Sequence, residues 1–286
     1  MPVLIDYSQV MLATLFANIG NHTNVEMSDD VIRHMFLMSL KYNRTKFKDE
    51  YGEIVICCDG KNSWRREAFP YYKASRRTSR EKSELDWNEL FRIMSDIREE
   101  ITEYFPYKVI QIDRCEADDI IGVVCHEFGT ELNTGAEKFL VLSGDKDYIQ
   151  LQRYANIDQY DPVRKKWIRH TNADDFLVEH IFKGDTGDGI PNILSADNCL
   201  VIGERQKPMT AKKMEAFRNS MESMDEITNI RYHRNKMLID LSATPDIYKK
   251  QILEAYNQEK PIGRSKLLDY FIQKKLKGLM ADLGDF

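Results

Sequence analysis

Cys115-Glu116-Ala117-Asp118-Asp119 and Phe139-Leu140-Val141-Leu142-Ser143-Gly144-Asp145-Lys146-Asp147 bracket the stretch on which the fold turns. The first opens a helix; the second is an apolar strand that runs into acids. Five carboxylates thus stand at the two ends of one helix–loop–strand unit. Brought together, they repel at high cost unless something cationic lies among them. Lys146 alone supplies too little charge, and the economical neutraliser is a divalent metal with oxygen ligands, magnesium first. Each cluster alone has an ordinary explanation. Acids in a first helical turn complement the helix dipole, and Gly-Asp after a strand marks a turn. The rest of the chain has to decide.

It does so by repeating the pattern. Val3-Leu4-Ile5 is an apolar run that ends in Asp6, and Ile54-Val55-Ile56-Cys57-Cys58 ends in Asp59-Gly60. Lys108-Val109-Ile110-Gln111-Ile112 is a third strand and Phe139 begins the fourth. Between them lie amphipathic helices: one after Ser8, one capped by Ser28, and a long one through Leu90, Met94, Ile97, Ile101 and Tyr104. Strands alternating with helices predict an α/β fold, a mostly parallel central sheet flanked by helices. Ligands collect beyond the carboxyl ends of such strands. Asp6, Asp59, Glu116, Asp118, Asp119, Asp145 and Asp147 all fall on that rim, which favours a metal site over turn chemistry.

Past Asp147 the sequence predicts a polar extended region. A hairpin follows through Gln159-Tyr160-Asp161-Pro162 and Lys165-Lys166-Trp167-Ile168. Helical signals dominate from Ala173 onward. The reading divides the chain into 1–170, an α/β core with a basic insertion at 61–84, and 171–286, a helical region.

Residues 61–82 carry Lys61, Arg65, Arg66, Lys73, Arg76, Arg77, Arg80 and Lys82 against Glu67 and Glu81, with Trp64, Phe69, Tyr71 and Tyr72 interleaved. Cations neutralise phosphates and aromatic faces stack on unpaired bases, so this segment beside an acidic rim predicts nucleic-acid binding. Phe182-Lys183-Gly184-Asp185-Thr186-Gly187-Asp188-Gly189-Ile190-Pro191-Asn192 reads as a helix end, a tight turn and a restart. Backbone amides in such a turn bind phosphate, directly or through a cation; Asp185 or Asp188 could instead reach the metal rim. Lys207, Lys212 and Lys213 extend the phosphate track. The closing residues, Leu279-Met280-Ala281-Asp282-Leu283-Gly284-Asp285-Phe286, mix apolar and acidic side chains and read as a frayed end.

The bulk numbers set bounds. Net charge is −5 over 286 residues, which excludes a basic nucleic-acid coat protein but not a local basic surface. Five cysteines are scattered, without metal or redox spacing, and predict reduced thiols in a cytosolic compartment. The chain enters a strand directly, so no leader is expected, and no apolar run is long enough to span a membrane. The six histidines are scattered and are assigned no role.

The ordered motifs resemble the structure-specific 5′-nuclease family, that is, flap endonucleases and the 5′→3′ exonuclease domains of bacterial DNA polymerases. They are Asp6; Asp59; Trp64-Arg65-Arg66 with Phe69-Pro70-Tyr71-Tyr72-Lys73 and Arg76; Glu116-Ala117-Asp118-Asp119; Gly144-Asp145-Lys146-Asp147; and the segment 184–191. The Gly203-Glu204-Arg205 loop and the helical C-terminal third resemble the ribonuclease H of T-even-like phages. The likeness covers essentially the whole chain. Residues 192–201 lack the glycine-rich second hairpin that many relatives carry.

The resemblance implies a PIN-like core and a phosphodiesterase using two magnesium ions, with manganese as a substitute. Asp6, Asp59, Glu116, Asp118 and Asp145 would build one metal site. Asp118, Asp147 and Asp188 would build the other, supported by Asp119 and Asp185 through water. Lys73 and Arg76 would contact the scissile phosphate, Tyr72 would stack on a terminal base, and Arg65, Arg66 and Arg77 would belong to the same bridge. The 184–191 turn, with Lys183, Gly187 and Gly189, would grip duplex. Substrates would be RNA primers on DNA and 5′ flaps in lagging-strand replication. The expected partners are a sliding clamp and a single-stranded-DNA-binding protein. The protein would be a monomer in a bacterial host's cytoplasm. The alternative from another class is a non-catalytic binder of branched or single-stranded DNA, which leaves the crowded acids without purpose.

Overall fold

The continuous apolar runs become β1 (Pro2–Asp6), β2 (Glu53–Cys58), β3 (Lys108–Gln111) and β4 (Phe139–Leu142). The computed structural model describes residues 2–19, 28–131, 135–221, 224–259 and 263–286, with the side chains of Ile19 and Arg77 outside the description. β5 (Ile157–Asp161) joins parallel to β4, and β6 (Lys166–Ile168) closes the edge antiparallel. The sheet order is β3-β2-β1-β4-β5-β6. The order reverses between β1 and β4, and there the loops leaving the carboxyl ends diverge and open a crevice.

The helices are α1 (Tyr7–Ile19), α2 (Asp29–Tyr51), α3 (Trp64–Ala68), α4 (Ala74–Glu81), α5 (Trp87–Tyr104), α6 (Ala117–Phe128), α7 (Ala173–Lys183), α8 (Cys199–Ile202), α9 (Ala211–Asn219), α10 (Glu226–Ile239), α11 (Asp246–Asn257) and α12 (Leu267–Gln273). Ser28 caps α2 through Val31 N at 3.4 Å, as its position before two acids predicts.

Alternation along the strands feeds two cores. Val3, Ile5, Leu140 and Leu142 face α1, α2, α5 and α12, whereas Leu4, Phe139 and Val141 face α6 and α11. Both faces are therefore dry, as a parallel sheet requires. A smaller cluster joins the bridge to the C-terminal helices: Phe69 and Tyr72 pack with Leu177, Ile181, Ile190, Leu238 and Ile239.

Two expectations are corrected. The region after Asp145 is not extended but a 3₁₀ helix, Lys146–Arg153, because the Asp145 carboxylate accepts from Asp147 N at 3.0 Å and Tyr148, Gln150 and Leu151 turn inward together. Nor is the C-terminus frayed. Residues Lys277–Asp285 form 3₁₀ turns with a kink at Asp282, and Phe286 is fully buried, its ring against Phe105 and Phe271. Lys41 pairs with Asp282 at 2.6 Å, so the acids of this segment have their own cationic partner while its apolar residues go inward.

Candidate metal and nucleic-acid site

The rim residues converge at the reversal point. Asp6, Asp59, Asp118, Asp145, Asp147 and Asp188 line one cavity of about 330 Å³ together with Ser8, Gln9, Lys73 and Arg76. Each acid is held by the element that presents it. Asp6 Oδ1 accepts from Gln9 N at 3.0 Å and so starts α1. Asp59 Oδ1 accepts from Ala117 N at 2.9 Å, which ties the end of β2 to the start of α6. The Tyr148 hydroxyl lies between Asp118 Oδ1 at 2.6 Å and Asp6 Oδ2 at 3.0 Å. Asp185 Oδ1 accepts from Gly187 N at 2.8 Å and Asp188 N at 3.2 Å, folding the turn that delivers Asp188.

The electrostatics report the crowding. Burial, with Asp59 and Asp145 nearby, pushes the Asp6 carboxyl up to about 7. Burial and Asp145 do the same to Asp147, also to about 7. Burial and Asp6 raise Asp118 well above the ordinary range. Glu116 goes the other way: burial pushes it up, but Lys73 and Arg65 outweigh that and hold it low. So much unneutralised negative charge on oxygen donors fits hard divalent cations. Asp147 Oδ1 is buried with no hydrogen-bond partner among the described residues, as an atom reserved for a cation would be.

Cations form the cavity's other wall. Lys73 Nζ reaches Glu116 Oε1 at 2.6 Å and Asp188 Oδ2 at 3.5 Å, and Arg76 also pairs with Asp188. Both cations also line a second cavity of about 660 Å³ with Arg66, Arg80, Trp87 and Phe91. Arg80 stacks over Phe91, 4.7 Å from its centroid. Arg66 is exposed there. The side chain of Arg77 lies outside the described residues.

Other residues depart from the sequence reading. Asp119 is fully buried. Its carboxylate accepts from Arg65 at 2.8 Å, Glu116 N at 2.8 Å, Thr244 Oγ1 at 2.9 Å and Trp64 Nε1 at 3.2 Å, so no lone pair is left for a metal's water. Arg65 is equally enclosed, with Nε on Leu238 O at 2.9 Å, and meets protein rather than phosphate. Tyr72 is buried too. Its hydroxyl donates to Glu116 at 2.6 Å and lies 3.0 Å from Asp188, so it positions acids and offers no face to a base.

In the 184–191 turn, the amides of Gly187, Asp188 and Gly189 are bonded within the turn and are not free for phosphate. Gly189 has φ +73 and lies under the bridge, where a Cβ would come within 2.7 Å of Tyr71 O. Lys183 is exposed and pairs with Glu179 at 2.7 Å. Asp185 also pairs with Lys146 at 2.9 Å.

The sequence reading missed Tyr148 and His180. His180 Nε2 lies 3.1 Å from Asp185 Oδ2 and its Nδ1 3.6 Å from Asp147 Oδ1. The available signal was the spacing: one helical turn ends between His180 and the acids of the turn that follows it.

A parallel sheet with carboxylates gathered at its reversal point, under a cationic helical bridge, defines the class of metal-dependent nucleases. Comparison with known proteins places the chain within that class. Residues 2–180 match the 5′-3′ exonuclease N-terminal resolvase-like domain, and residues 172–286 match the T4 RNase H C-terminal domain. The chain therefore belongs to the 5′-3′ exonuclease family. It is 34% identical over 295 residues to ribonuclease H of Enterobacteria phage T4, covering 99% of this chain and 95% of that one. It is 24% identical over 246 residues to a 5′-3′ exonuclease of Buchnera aphidicola subsp. Schizaphis graminum, covering 82% and 77%.

Solved structures share the fold. A bacteriophage T5 flap endonuclease with DNA and metal ions aligns at TM-score 0.58 and 17% identity, over 90% of this chain and 99% of that one. A zinc-bound T5 5′-exonuclease aligns at 0.56 and 16%, over 97% and 99%. Among the described residues no helix is long and apolar enough to cross a membrane.

Proposed function

We propose that the protein is a 5′→3′ nuclease that removes RNA primers from RNA–DNA hybrids and cuts 5′ DNA flaps during lagging-strand replication. The observation that carries this is one cavity walled by six aspartates on one side and by Lys73 and Arg76 on the other. When bound, two magnesium ions, with manganese as a substitute, supply Lewis acidity and a water of lowered pKa for in-line hydrolysis. Asp6, Asp59, Asp118 and Asp145 would hold one ion, with Glu116 tied beside them to Lys73, Tyr72 and Arg65, and Asp118, Asp147 and Asp188, with Asp185 behind, would hold the other.

Lys73 and Arg76 leave their carboxylates to meet the non-bridging oxygens of the scissile phosphate, balancing the charge that develops there. The products carry 5′-phosphate and 3′-hydroxyl ends. In this reading 1–170 carries most of the chemistry, while 171–286 adds Asp188 to the acidic cavity, with Asp185 behind it, holds duplex and completes the cores. Arg66 and Arg80 line the approach. The protein acts as a monomer in a bacterial host's cytoplasm and meets a sliding clamp and a single-stranded-DNA-binding protein.

The test is cleavage of a 5′-labelled flap and an RNA–DNA hybrid with and without magnesium, using wild type and Asp145→Asn. Short 5′ products are expected from both substrates with wild type only. Binding by Asp145→Asn should persist, because the bridge is intact. Binding of wild type without cleavage in magnesium, or in manganese put in its place, would return the protein to the non-catalytic class.

A further inference from the structure

The His180 side chain has one nitrogen whose role the carboxylate geometry fixes and one left over. Asp185 Oδ2 lies 3.1 Å from Nε2 and also meets Lys146 Nζ at 2.9 Å. An ionised carboxylate only accepts, so Nε2 carries the proton and donates. Nδ1 is then a bare lone pair. It points at Asp147 Oδ1, 3.6 Å away, which is another acceptor. Both atoms are buried and neither has a hydrogen-bond partner among the described residues. His180 itself is only 6% exposed. A proton between them would be poorly used, because 3.6 Å lies outside hydrogen-bond range.

A metal ion fits better. Two donors, each about 2.1 Å from one ion at the tetrahedral angle, stand about 3.4 Å apart. A ligating imidazole normally donates its other N–H to a carboxylate, the part Asp185 already plays.

We propose that His180 Nδ1 and Asp147 Oδ1 are the inner ligands of a divalent cation with mixed nitrogen and oxygen donors, oriented by Asp185. This rests on the metal-dependent reading above and deepens it. Imidazole suits zinc, copper, iron and nickel better than magnesium, so this position favours a borderline ion while the all-oxygen aspartate cluster takes a hard one.

The experiment is pulsed electron paramagnetic resonance on untagged full-length protein loaded with Mn²⁺ alone. Nitrogen-14 modulation from a directly bound imidazole is expected in wild type, lost in His180→Gln and retained in Asp6→Asn. In parallel, zinc affinity measured by chelator competition should fall at least about tenfold in His180→Gln, with magnesium affinity changed much less. Bound Mn²⁺ without nitrogen modulation in wild type, or modulation that survives His180→Gln, overturns the assignment and leaves the aspartate site standing. Wild type that binds no Mn²⁺ at all overturns the metal-dependent reading itself, so the two failures are distinguishable.

Discussion

Arg76 belongs to two cavities at once, the acidic one that holds the aspartates and the larger one lined by Arg66, Arg80, Trp87 and Phe91. A cation there serves both chemistry and strand binding. Arg76→Ala should slow cleavage by about ten- to a hundredfold and lower the salt slope of DNA binding by about one, measured by titration across ionic strengths. An unchanged slope would remove the phosphate contact. Tyr148 acts differently, since its hydroxyl bridges Asp6 and Asp118. Tyr148→Phe should raise the metal concentration for half-maximal activity about tenfold while leaving the rate at saturating metal within a few-fold. A fall in rate with no change in metal requirement would contradict that role.

The acids were legible at this scale and their division of labour was not. Glu116-Ala117-Asp118-Asp119 presents three carboxylates in four residues, but whether Asp119 faces metal or protein depends on Trp64, Arg65 and Thr244, all distant in sequence. Arg65 and Tyr72 were misplaced for the same reason. Local charge and aromaticity say nothing about which side chains the fold encloses.

At the scale of elements, the strands were the easiest part to read. An apolar run with an acid at its end states both burial and the edge at which the chain emerges. The bridge was legible as basic and aromatic, but not as two short helices joined by a turn whose Phe69 and Tyr72 pack against α7 and α10. The C-terminal 3₁₀ segment was misread because its acidic and apolar residues follow no helical or strand period, and only the partners Lys41, Arg44 and Phe105 sort them. Phe286→Ala should cost about 3–5 kcal/mol of stability, the usual loss for a buried phenylalanine. Denaturant unfolding measures it. A midpoint equal to that of wild type would mean the segment is not core.

For the molecule as a whole, a net charge of −5 conceals a strongly acidic crevice beside a basic bridge. The crevice ties stability to pH. Asp6 and Asp147 titrate near 7 and Asp118 is raised as well, so without metal the folded state binds protons that the unfolded state has already released. Stability from these groups is full below the unfolded value near 4 and is lost as pH rises through about 7. Carboxylates held low, such as Glu116 and Glu53, are ionised in both states across this window and do not offset the loss. In chelator, the melting temperature should therefore fall between about pH 5 and pH 7.5; divalent metal should flatten that slope. Calorimetry across this range decides it, and a melting temperature that rises with pH in chelator would contradict the crowding.

The contact between the bridge and the 184–191 turn has a mechanical consequence. Lys73 N donates to Asp188 O at 2.7 Å, and Gly189 lies directly beneath Tyr71 O. The lid over the crevice and the acid that completes its floor are thus one interlocked part. Displacing the bridge therefore displaces Asp188 with it, through the Lys73–Asp188 backbone bond and the Tyr71–Gly189 contact. The position of the bridge and the make-up of the acidic cavity are a single variable: whatever loosens one loosens the other.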